Sequence, residues 1–69
     1  MSNEEVRGFV IESLPNLLYR VELEDQRVFI CYLSGKMRLN KIWVNVGDKV
    51  LLVLDPHGGK ATNRITRRL

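Results

Sequence analysis

The residues Tyr19-Arg20-Val21-Glu22-Leu23-Glu24 alternate apolar and polar without a break. Only an extended strand with one buried face puts every second side chain on the same side, so Tyr19, Val21 and Leu23 are expected to face a core and the charges to face water. The flanking sequence offers this strand its partners. Val6 to Ser13 is rich in β-formers, and Leu14-Pro15-Asn16 places Pro and Asn where a turn uses them, which predicts a hairpin. After the polar turn Glu24-Asp25-Gln26, the stretch Arg27 to Leu33 is largely apolar on both faces, the pattern of a central strand or of a strand in a closed barrel.

Gly35 interrupts the strand pattern, and Ser34 in front of it is placed to cap a short helical turn. Ser34 to Asn40 carries Lys36 and Arg38 and reads as a basic connector. Gly47-Asp48 marks the entry to a fourth strand, Lys49 to Leu54, with Val50, Leu52 and Leu54 on one face. The loop Asp55-Pro56-His57-Gly58-Gly59-Lys60 ends it, and Asn63 to Arg68 makes a last strand. Strands in this order, with the long connector between the third and fourth, predict an all-β chain: a five-stranded OB-fold barrel with a short helical connector. Residues 1–69 form one domain in this reading, with residues 1–5 as a flexible N-terminus. Val21, Leu23, Val50, Leu52 and Ile65 are the expected interior.

Few chemistries fit such a chain. Cys31 has no second cysteine to pair with and His57 no second imidazole, so neither a disulfide nor a structural metal is expected. Cys31 lies in a predicted strand far from His57, which leaves no nucleophile and base together and argues against an enzyme. Gly58-Gly59-Lys60 lacks the spacing and the following helix of a phosphate-binding loop and reads as a plain turn, with His57 a solvated turn residue. Cys31 reads as a small core residue. No cofactor is implied. The start Met1-Ser2-Asn3-Glu4-Glu5 has neither the basic residues nor the apolar run of a secretory signal, and no stretch is long enough to span a bilayer, so a cytoplasmic location is expected.

Charge is distributed unevenly. From Gly35 onward the chain has eight basic residues and only two acidic ones, Asp48 and Asp55, a surface suited to a polyanion. Aromatic groups flank its first part: Tyr32 precedes the connector, Trp43 follows it, and Lys36, Arg38 and Lys41 lie between. Cations neutralise phosphates, and flat rings offer unpaired bases a stacking surface worth about 1–3 kcal/mol each. The plainer alternatives are that the cations only solvate the surface and that Trp43 roofs the barrel.

Ser34-Gly35-Lys36-Met37-Arg38, followed by Asn40, Ile42 and Gly47-Asp48-Lys49-Val50, resembles bacterial translation initiation factor one. Glu12-Ser13-Leu14-Pro15-Asn16 running into Tyr19-Arg20-Val21-Glu22-Leu23 resembles the first turn and second strand of that family, and Arg64-Ile65 with Arg68 its last strand. The resemblance runs from Val6 onward in register. It implies a five-stranded OB-fold that binds the small ribosomal subunit at the aminoacyl-tRNA site, against rRNA and a neighbouring ribosomal protein; a closed barrel with few free strand edges and a net cationic surface separately predicts that the free chain is a monomer. It also implies work with translation initiation factors two and three on initiator-tRNA selection, in the cytoplasm or in a plastid stroma. Lys36, Arg38, Arg64 and Arg68 match basic positions of the family, and Tyr32 stands where many members have histidine. Trp43 replaces a frequent arginine, Leu39 a frequent lysine, Lys41 a frequent tyrosine, and Arg67 a common aromatic residue. The expected RNA-binding residues are thus Tyr32, Lys36, Arg38, Lys41, Trp43, Arg64 and Arg68.

Two other readings compete. A cold-shock type of single-strand RNA chaperone would grip RNA on the barrel face, but this chain has only Phe9 and Phe29, and Phe29 is expected to point inward with Cys31 and Leu33. A protein-interaction barrel would dock through Ile30, Leu51 and Val53, expected on outward faces.

Overall fold

In the computed structural model, which describes residues 5–55 and 63–69, strand β1 (Glu5–Leu14) leads through a short 3-10 turn (Pro15–Leu17) into β2 (Leu18–Leu23). Strand β3 (Val28–Leu33), helix α1 (Gly35–Leu39), β4 (Lys49–Val53) and β5 (Asn63–Arg68) follow. The strands close into a barrel in the order β1-β2-β3-β5-β4. All pairings are antiparallel except β3 with β5, which is parallel. This is the five-stranded OB-type barrel expected from the pattern. The reading of His57 and of Gly58-Gly59-Lys60 falls outside the described residues.

Each strand contributes to the interior at alternate positions. Val10, Val21, Cys31, Leu33, Val50, Leu52 and Ile65 are fully buried, and Tyr19 and Leu23 nearly so. Burying an aliphatic side chain of this kind stabilises by about 1.5–3 kcal/mol, so the regular alternation is the main favourable term for a small chain. Phe29 packs against this core half-buried, with the Arg27 guanidinium 5.5 Å above its ring. One expected outward residue is not outward-exposed: Val53 is buried. It is flanked by Glu5 on β1 and Arg64 on β5, and long side chains directly opposite a small β-branched one in the register are placed to shield it from water. Ile30 and Leu51 are half-exposed.

Closure depends on β1, which pairs with two neighbours at once. Gly8 lies opposite Leu23 of β2 and Val50 of β4. Beyond it the register against β2 shifts between Val10 and Glu12, leaving Ile11 as a bulge residue. Val10 uses its backbone on the loop before β4, with its N–H donating to Asp48 O at 3.0 Å and its carbonyl accepting from Gly47 N at 2.8 Å. A bulge bends a strand, and here it turns β1 from one side of the barrel to the other. Gly47 has φ +99°, which favours glycine.

Cys31 lies sealed in this interior, and burial pushes its thiol from the ordinary 9.0 up to about 12. The neutral thiol is the favoured buried form. Its contribution to stability is complete below pH 9 and is lost as the pH rises from 9 toward 12. Alkylation of Cys31 at pH 8 is expected to run at least about a hundredfold slower in the native protein than in urea-unfolded chain, because the reactive thiolate requires opening of the barrel. Equal rates measured by mass spectrometry would contradict the sealed position.

Candidate nucleic-acid interface

Helix α1 is a capped single turn. Ser34 Oγ accepts a hydrogen bond from Met37 N at 3.2 Å, satisfying one of the free N–H groups of the first turn. Ser34 N donates to Ile65 O at 2.9 Å, which ties the start of the helix to β5 between Arg64 and Thr66. At the other end Ile42 N donates to Met37 O at 2.8 Å and Lys41 N to Arg38 O at 3.1 Å. These two bonds form a Schellman motif with Lys41 at the position normally held by glycine, and Lys41 has φ 56°. Met37 is buried in the core, so the helix is held from below while Lys36 and Arg38 remain at the surface.

Strand β5 supplies the second group of cations. Arg64 lies beside Tyr32 in the parallel pairing with β3, and Leu18 of β2 lies on the other side of Tyr32. Tyr32 alternates with the buried Cys31 and Leu33 and so stands half-exposed on the outside of the sheet next to Arg64. Further along, the register of β5 against β4 shifts between Leu51 and Leu52. Arg67 and Arg68 follow this irregularity. They border a shallow cavity of about 340 Å³ with Lys36, over an apolar floor of Met37 and Ile42 and next to the polar side chains of Asn40 and Thr66. Arg68 Nη1 also donates to Trp43 O at 3.1 Å, which holds the connector against β5.

The expected residues thus form two adjacent groups. Lys36 and Arg68 meet at the groove, and Tyr32 and Arg64 meet on the sheet. Arg38 and Lys41 sit on the helix and its C-terminal cap without lining the groove. Arg67 was not among the expected contacts, yet it borders the groove; its place in the basic run Arg64 to Arg68 was the available signal. Trp43 is 45% exposed, and its chain neighbour Val44 is buried in the core.

Electrostatics favour an anion here. Among the described residues the ion pairs are Arg20 with Glu12 at 2.8 Å and Arg27 with Asp25 at 2.7 Å, both within the N-terminal half. The backbone N–H and then the side chain of Arg27, both donating to Asp25, hold that carboxyl below its ordinary value. Lys36, Arg38, Lys41, Arg64 and Arg67 take part in no ion pair among the described residues. No Asp or Glu lies between Asp25 and Asp48 in the sequence. No group of three or more His, Cys, Asp or Glu among the described residues is placed to hold a metal ion.

Lys41 carries a cost for its place. A non-glycine residue in the left-handed region is disfavoured by about 1–2 kcal/mol. Lys41→Gly is therefore expected to raise stability by about 0.5–1 kcal/mol in thermal unfolding, after allowing for glycine's greater chain entropy. The same change is expected to weaken binding to RNA at low salt, whereas Lys41→Gln should weaken binding without the gain in stability. A glycine variant no more stable than the parent would remove the strain from this account.

A family model for translation initiation factor 1A / IF-1 matches residues 1–69 of the chain. Among solved structures, the chain is similar to the translation initiation factor one of the Wolbachia endosymbiont strain TRS of Brugia malayi, a solution structure, with a TM-score of 0.77 and 40% identity. That likeness covers 96% of this chain and 77% of the Wolbachia one. It is also similar to YjeQ from Thermotoga maritima, with a TM-score of 0.76 and 30% identity over 96% of this chain but only 23% of YjeQ.

Proposed function

The chain belongs to the translation initiation factor 1A / IF-1 family, and from that premise we propose that it binds rRNA of the small ribosomal subunit at the aminoacyl-tRNA site. There it assists selection of the initiator tRNA together with initiation factors two and three. The observation that carries this reading is the group of cations on α1 and β5 that take part in no ion pair among the described residues, with Arg64 beside the half-exposed Tyr32 and Arg68 bonded to the backbone carbonyl of the exposed Trp43. Such a surface neutralises phosphates through Lys36, Arg38, Lys41, Arg64 and Arg68 and leaves two rings to meet splayed bases. The factor acts by binding and without a cofactor. Its place of work is the cytoplasm, or a plastid stroma in the alternative reading; no helix among the described residues is long and apolar enough to cross a membrane. The free factor is a monomer, since the closed ring leaves its strands paired on both sides.

A cold-shock type of chaperone is less well supported. It needs several aromatic rings on one strand face, and here Phe29 packs against the core while Phe9 lies on β1, away from Tyr32. A chemical footprint of small subunits with and without the protein separates the two. Protection confined to the decoding region is the expected result, and protection scattered over single-stranded rRNA would support the chaperone instead.

A further inference from the structure

Ser34 and Asn63 are the buried polar residues among those described, and they stand at the two ends of one seam. Strands β3 and β5 meet there in the parallel pairs Cys31 with Asn63, Tyr32 with Arg64 and Leu33 with Ile65, the shortest ladder of the ring among the described residues. At one end Ser34 N donates to Ile65 O at 2.9 Å, and the Ser34 hydroxyl caps α1. At the other end the side chain of Asn63, only 5% exposed, reaches in two directions. Its Nδ2 donates to Ile30 O on β3 at 3.2 Å, and its Oδ1 accepts from Asp55 N, just past the end of β4, at 2.7 Å. One amide thus holds the start of β5 to both of the strands beside it.

A parallel ladder is slightly less stable per residue than an antiparallel one, and one this short leaves much of its register to side chains. A buried amide without partners is strongly unfavourable, so the alignment that offers Ile30 O to Nδ2 and Asp55 N to Oδ1 is the favoured one. A slip of one residue would take Asn63 off both groups and turn Arg64 from the outside of the sheet to the interior. We infer that Asn63 is a positioning residue for RNA binding, whose amide fixes the β3–β5 register and so sets Arg64 beside Tyr32 on the outer face. The inference rests on the reading of Arg64 as an rRNA contact. Asn63 itself faces inward and meets no ligand. Arg38 is held differently, on a helix anchored at the opposite end of the seam by Ser34 and in the core by Met37. Loss of the Asn63 amide therefore silences Arg64 and leaves Arg38 at work. A general loss of folded protein would instead scale every affinity by the same factor and leave the effects of both arginines intact.

Asn63→Asp keeps the shape and the acceptor but sets a second acceptor against Ile30 O, whereas Asn63→Ala removes both bonds without adding charge. Affinity for purified small subunits is measured at low salt for each variant, alone and combined with Arg64→Ala or with Arg38→Ala, once circular dichroism shows the chains folded. Each Asn63 variant is expected to weaken binding about tenfold, to add less than about twofold to the loss in Arg64→Ala, and to multiply with the loss in Arg38→Ala. Losses that multiply with both arginines, or parental affinity of both Asn63 variants, would overturn the inference. Two NMR measurements on the free proteins give an answer that needs no RNA. The side-chain amide of Asn63 in the parent is expected to exchange with solvent at least about a hundredfold slower than that of the exposed Asn40. A nuclear Overhauser contact between the Tyr32 ring and the Arg64 side chain is expected in the parent and lost in Asn63→Asp. Exchange as fast as that of Asn40, which needs no variant to measure, or an Overhauser contact kept in both variants, would also overturn the inference. Parental affinity of Arg64→Ala alone would instead count against the RNA-binding reading, and the NMR results would then decide the register by themselves.

Discussion

Gly8→Ala is expected to be among the most destabilising single methyl additions in this protein, lowering the unfolding free energy by about 2 kcal/mol. A methyl group built at Gly8 lies 2.5 Å from Val21 Cγ1 and 2.9 Å from Leu52 Cδ2. Both neighbours are fully buried, and the Val21 methyl sits on a β-branched carbon with little rotamer freedom, so it cannot swing away. The usual gain of about 0.4–1 kcal/mol on replacing glycine by alanine offsets only part of such overpacking. Gly8 also lies opposite both Leu23 and Val50, so a shift of β1 to relieve the clash would disturb two ladders at once. Urea unfolding followed by Trp43 fluorescence and far-UV circular dichroism measures the loss. The double variant Gly8→Ala with Val21→Ala should be less destabilised than the sum of the two single ones, because the second change opens the space that the first needs. A Gly8→Ala protein as stable as the parent would show that the barrel wall at this point is not closely packed.

Gly8 also illustrates where sequence reading ends. The strands themselves were legible, because a half-buried strand must alternate, and Tyr19, Val21 and Leu23 do so without interruption. Ser34 before Gly35 announced α1 for a similarly local reason, since a hydroxyl at that place can satisfy a free N–H of the first turn. What was not legible depends on pairs distant in sequence. The close approach over Gly8 involves Val21 and Leu52, and the bulge at Ile11 is set by Val10 bonding to the loop before β4. Val53 looked outward by alternation, and it does alternate with Leu52, but its cross-strand neighbours Glu5 and Arg64 could not be known before the register was.

The candidate site divides in the same way. Lys36, Arg38, Arg64 and Arg68 stood out through the resemblance and the charge balance, and the structure brings Lys36 and Arg68 to one groove and Arg64 beside Tyr32. The hydrogen bond from Arg68 to the Trp43 carbonyl gives that arginine a second duty as a brace for the connector, which no composition reveals. Lys41 in a left-handed conformation was equally hidden, because the sequence signal for that position is a glycine or asparagine and neither is present there.

The cationic face leads to the largest expected functional effect. Arg38→Ala and Arg64→Ala are each expected to weaken binding to small subunits at least about tenfold at low salt, the range of one lost charge-assisted contact. Each should also shallow the log-log dependence of affinity on salt by roughly one unit or less, because every lost phosphate contact leaves its counterions condensed on the RNA. The two residues come from different elements, α1 and β5, so the double variant tests whether both groups of cations face the same ligand. If they do, the slope falls by about the sum of the single changes. Arg20→Ala is the control. Its charge is engaged by Glu12, and its removal should change the slope less than that of either unpaired arginine. Circular dichroism establishes that each variant is folded before its affinity is compared. Loss of affinity with an unchanged slope would mean that the arginines act on the protein's own structure, and parental values for both would mean that α1 and β5 only solvate the barrel.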